Sequence, residues 1–154
     1  MTVAKTQPIR LKWSEKHRKI IVEGADEDRF FISVDEAIEA CKIYDREKKA
    51  LFRKQFEDLL DFLGEWAHQR RNKLEKVFLT IRDAGLLFLL ITKRKTYDEH
   101  FEEDLTNLDL EIANSDEFSE VLLSIQALPF CNKSNYESFC YPERTLEYTK
   151  LNAK

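Results

Sequence analysis

Apolar and polar positions along this chain change their spacing in blocks, and each block predicts an element. Residues 8–13 (PIRLKW) and 19–24 (KIIVEG) flank the polar SEKHR, and their β-branched residues, aromatic and closing glycine predict a β-hairpin. FFIS (30–33) reads as an extension of it. Ser33 with Glu36 forms a capping-box spacing ahead of an apolar-periodic run. From there to about residue 73 there is no proline and Gly64 is the one breaker. Val34, Ala37, Cys41, Tyr44, Leu51, Phe52, Leu59, Phe62, Leu63 and Trp66 share one face at helical spacing, which predicts an amphipathic helix over 34–73.

VFLTIR (77–82) and LLFLLITK (86–93) follow, joined by Asp83-Ala84-Gly85, a three-residue hairpin loop with glycine at the position that favours positive φ. The second of these strands is apolar on both faces and is expected to be central. Thr96 with Glu99 is a second capping box, and Tyr97, Phe101, Leu105, Leu108 and Ile112 recur on one helical face, predicting a helix that ends near Asn114. LDLEI (108–112) also alternates and offers a competing strand. VLLSIQALP (121–129) alternates until Pro129 stops it, as a half-buried strand does. Residues 130–154 carry aromatics without a sustained period and read as a C-terminal strap.

The expected fold is α+β, in the order β-β-α-β-β-α-β, with an antiparallel or mixed sheet and one long and one shorter helix on one face. From the second strand onward this is the element order of the ferredoxin-like split arrangement. The domain reading is a single domain over 1–129 with a strap or tail over 130–154. A straight helix over 34–73 would span roughly 60 Å, against a diameter of about 40 Å for a compact domain of this size. Either it breaks, around residues 46–49 or at Gly64, or one end projects and needs cover, for which the simplest source is a second copy in a homodimer.

Charge narrows the functional classes. The chain has 25 Lys and Arg against 29 Asp and Glu, net −4, so the totals carry no general nucleic-acid footprint. The longest apolar run, 86–91, is far short of the roughly 20 residues of a membrane span, and the N-terminal residues lack a signal-type apolar core. Three cysteines fit a reducing compartment better than a disulfide framework, so a soluble, cytoplasmic protein is expected. With Gly24, Gly64 and Gly85 alone, no phosphate-cradling glycine loop exists, and no C-x-x-C or H-E-x-x-H spacing occurs. Nothing in the sequence calls for a cofactor or a metal.

Two charged features remain. Residues 96–120 contain ten carboxylates and no Lys or Arg. Around the helix the seven carboxylates at 98, 99, 102, 103, 104, 109 and 111 fan outward, which suits a solvated or docking face better than a metal cage or an acid–base pair. Glu99, Glu102 and Glu103 share one turn, and Leu110 falls among Glu99, Glu103 and Thr106, opposite the core stripe. On the long helix Lys42, Arg46, Lys49 and Arg53 step as a basic ridge. The expected function is a non-catalytic protein-interaction module, self-associating as a homodimer and docking through these eight residues. A small acidic chaperone or adaptor is the alternative, followed by a nucleic-acid accessory protein using the ridge with Lys93-Arg94-Lys95; nucleic acid is disfavoured as a partner and an enzyme most of all.

Overall fold

A computed structural model describes residues 7–149. It is an α+β fold with a six-stranded mixed sheet and four α-helices among the described residues. β1 (Ile9–Ser14) and β2 (Lys19–Val22) form the expected antiparallel hairpin, with Ser14 opposite Lys19. Next come α1 (Glu27–Ala40) and α2 (Arg46–Gln69), then the hairpin β3 (Leu74–Arg82) and β4 (Gly85–Thr92). α3 (Glu99–Ala113), β5 (Leu123–Leu128), the single-turn α4 (Lys133–Tyr136) and β6 (Thr145–Thr149) complete the order.

The helical segment departs from expectation at both its start and its middle. Phe30–Ser33 lie inside α1 and not in a strand, and Ser33 is buried mid-helix without a capping role. The single helix over 34–73 is two helices. α1 ends in a Schellman turn, with Ile43 N–H donating to Ile38 O at 3.1 Å and Lys42 N–H to Glu39 O at 3.0 Å. Lys42 takes φ 60° there, a conformation usually left to glycine, and no sequence signal advertised it. Asp45 then caps α2, accepting from Glu47 N–H at 2.7 Å and Lys48 N–H at 3.3 Å. Gly64 does not break α2. It lets the helix approach the hairpin, since a Cβ there would meet Ile20 Cδ1 at 2.5 Å and Trp13 at 3.2 Å.

The sheet order is β2-β1-β6-β3-β4-β5. This is not the ferredoxin-like arrangement: there is an extra strand, and β6 lies between β1 and β3. β6 runs parallel to β1, with Ile9 opposite Leu146, and antiparallel to β3, with Leu79 opposite Leu146. The N-terminal hairpin therefore joins the rest of the sheet through β6. Residues 145–149, part of the segment read as a strap, are a central strand whose first four residues are all buried.

α1, α2 and α3 cover one face of the sheet. Their stripes, including Ala37, Phe52, Leu59, Leu63, Phe101 and Leu108, pack on Leu11, Val77, Leu79, Phe88 and Leu146. Phe56 and Leu60, which an overhanging helix would have exposed, lie in this core. The opposite face carries a smaller cluster of Phe78, Leu87, Leu89, Ile91 and Tyr136, lidded by Cys131, Phe139 and Cys140 from the 130–144 segment. Cover on both faces explains why every residue of β4 is buried. The hairpin turn places Arg82 opposite Gly85, whose φ is 125° and where an added Cβ would meet Leu122 O at 2.8 Å, so no side chain fits there.

Candidate functional site

α3 runs as one helix through 108–112, so the competing strand reading falls. Its cap is Asp98, accepting from Phe101 N–H at 3.2 Å, and not Thr96. Phe101, Leu105, Leu108 and Ile112 face the core, which turns Glu99, Glu103 and Leu110 to solvent. Glu102 is half-buried in a groove it shares with Ala127 and Leu128 of β5. Two α3-region carboxylates are paired locally, Asp104 with Arg70 at 3.3 Å and Asp98 with Arg94 at 3.6 Å. The carboxylates radiate, and no group of three His, Cys, Asp or Glu suited to a metal occurs among the described residues.

The structure takes the basic ridge apart. Lys42 sits in the interhelical turn, while Arg46, Lys49 and Arg53 begin α2. Arg53 bonds Asp35 of α1 at 2.8 Å, a partner across the two helices. Tyr44, which a single helix over 34–73 would place on the core face, is 75% exposed because the break rotates it outward. With the same break no helix of roughly 60 Å exists to overhang the domain and call for a second copy. No ion pair joins the ridge to Glu99, Glu102 or Glu103 among the described residues.

A polar seam on α2 holds the N-terminal hairpin. Asp61 accepts from Ile20 N–H at 2.6 Å, Glu65 binds Arg18, and His68 lies 3.6 Å from Glu15 with its ring beside Trp13. Burial raises the Asp61 pKa, and the Ile20 N–H partly offsets that. His68, in the last turn of α2, thus packs under the hairpin. Burial also raises the thiol of Cys41 and pushes that of Cys140 up to about 11, so neither is a thiolate at neutral pH.

The two edges of the sheet differ. On β2 the outward Ile20 N–H is taken by Asp61, so α2 guards that edge. On β5, Leu86 N–H donates to Leu122 O at 2.8 Å and Leu86 lies opposite Leu123. In parallel register that pattern points the N–H and C=O of Leu123, Ile125 and Ala127 away from β4. The strand LSIQAL has no charge, proline or bulge on this edge. Leu122 and Phe130, just outside its ends, are 50% and 39% exposed.

A further basic feature comes from the β3–β4 register. Leu74 lies opposite Thr92, and Lys93 N–H donates to Lys73 O at 2.9 Å. This brings Lys73 alongside Lys93 and Arg94 around one groove. Both runs stand in the sequence as RRNK and KRK, but only a hairpin register shows that they share one rim.

No family model matches the chain, and no curated protein or solved structure matches it.

Proposed function

We propose that this protein is a non-catalytic protein-interaction module that takes an extended, basic segment of another protein as an added strand on β5. The observation that carries the reading is the outer edge of β5, with which no strand pairs among the described residues. Edge strands in monomeric proteins are ordinarily blunted by charge, proline, bulges or cover. β2 is so blunted and β5 is not. A segment laid along β5 would satisfy the outward backbone groups of Leu123, Ile125 and Ala127 and reach the exposed Leu122 and Phe130.

Charge chooses the partner. The chain entering β5 brings ten carboxylates and no Lys or Arg over residues 96–120, and Glu102 lies beside the end of the strand. A second copy pairing β5 to β5 would bring two acidic helices towards each other. A Lys-bearing partner gains attraction from the same field, so the partner is a different protein.

The test uses a synthetic extended peptide alternating Thr or Val with Lys, and its Glu counterpart, followed by amide chemical shifts. The Lys peptide is expected to bind with salt sensitivity and to shift β5 amides, while the Glu peptide does not. Ile125→Pro removes an outward N–H and leaves the β4 ladder intact, and it is expected to abolish binding. Binding that survives Ile125→Pro, or a stable dimer by sedimentation through β5, would overturn the reading.

A further inference from the structure

The basic rim encloses a groove of about 360 Å³ at the start of α3, lined by Asn72, Lys73, Lys93, Arg94, Asp98 and His100, with Thr92 and Phe101 behind them. Asp98 is its one carboxylate, and it is already engaged. It accepts from Phe101 N–H at 3.2 Å, and Arg94 lies 3.6 Å away. Lys73, Lys93 and Lys95 form no ion pair among the described residues. Arg71 is turned back onto His68 O at 2.7 Å, which leaves the lysines as the free charges.

Aromatic surface flanks these cations. Tyr97 is 70% exposed and lines the adjoining groove with Thr96, Asp98 and Pro129. Phe130, 39% exposed, is tied to the same turn by its N–H on Arg94 O at 2.8 Å. Tyr97, which its spacing puts on the core stripe of α3, lies ahead of the cap Asp98 and outside the helix, so its ring and that of Phe130 project to solvent.

We infer that this rim binds single-stranded nucleic acid, with backbone phosphates on Lys73 and Lys93 and an unpaired base stacked on Tyr97. Clustered lysines attract phosphates through counterion release, which needs no specific base contact. An exposed ring beside them supplies a stacking platform open to any base whose face is free. A duplex hides those faces, so the single strand is preferred. The net charge of −4 does not oppose this, because a phosphate in the groove lies nearest the groove's own lysines, whose charge dominates at contact. An acidic peptide would also meet the lysines but would leave Tyr97 without a role.

Fluorescence anisotropy of a labelled mixed-sequence oligonucleotide of about 12 nucleotides, within the range of single-strand sites, tests this on the full chain. Binding is expected at low salt, weakening as salt rises. Lys73→Glu with Lys93→Glu should weaken it about tenfold or more and flatten the salt slope by roughly 0.7 for each lost phosphate contact. Tyr97→Ala should weaken it about fivefold or more while leaving the salt slope unchanged. Lys16→Glu with Lys48→Glu makes the same charge change on exposed residues elsewhere and should leave binding within about twofold. Circular dichroism melts establish that each variant is folded. No binding at low salt, equal loss in the control pair, equal affinity for the duplex, or displacement by polyglutamate as readily as by oligonucleotide would each overturn the assignment.

Discussion

Asp98 shows how one side chain decides where an element begins. Thr96 has the capping-box spacing to Glu99, yet the chain enters α3 two residues later, because Asp98 has the extended backbone of a cap and accepts from Phe101 N–H. That bond, with the positive charge of Lys73 and Arg94 beside it, holds the Asp98 carboxyl below the usual carboxylate range. A carboxyl whose pKa falls on folding contributes stability above its unfolded pKa and loses it as pH drops through the folded one. Asp98→Ala is therefore expected to lower the urea midpoint at neutral pH, with the difference from the parent protein shrinking in acid. Thr96→Ala should leave the midpoint unchanged. Urea melts of both variants at neutral and acidic pH check this.

At the scale of elements, the break between α1 and α2 matters most. Apolar residues continue at helical spacing across 41–45, so periodicity alone could not see it. Asp45 stands inside that continuous pattern, so its capping role shows only in the structure, and the Schellman turn rests on Lys42 in a left-handed conformation that sequence preferences assign to glycine or asparagine. The chain tolerates the cost because Ile43 is buried immediately beyond it. Lys42→Gly should relieve that strain and stabilise the protein by up to about 1 kcal/mol. Thermal melts measure it, and a destabilised variant would mean that the Lys42 side chain makes a contribution larger than the strain.

For the whole molecule, β6 is the piece on which the architecture depends. The N-terminal hairpin meets β6 on one side and β3 meets it on the other. Thr145 Oγ1 and Thr80 Oγ1 share a buried hydrogen bond at 2.9 Å, and Tyr148 O–H donates to Leu60 O of α2 at 3.1 Å. The sheet cannot close until the C-terminal residues arrive, which places its decisive contacts late and far apart in sequence. A chain ending at Arg144 is expected to lose its cooperative thermal transition by circular dichroism. If 130–154 were only a strap, that shortened chain would keep most of its transition.

Local pattern determined what local physics controls. Both hairpins, the amphipathic faces of the helices, the all-apolar β4 and the half-buried β5 follow from which residues can hide from water at a period of two or of 3.6. The acidic α3 was readable the same way, since its carboxylates occupy the arc that its core stripe leaves over. Tertiary structure decided the rest. β6 is five residues without a long alternating run, and it becomes a central strand because β1 and β3 leave a slot between them. Tyr44 turns to solvent and Phe56 to the core only after the break sets the angle of α2. The lysines of the rim meet only in the β3–β4 register, and β5 is an unguarded edge only because no later strand pairs with it among the described residues. These are relations between segments distant in the chain, and a one-dimensional pattern carries no term for which segment will fill the space beside another.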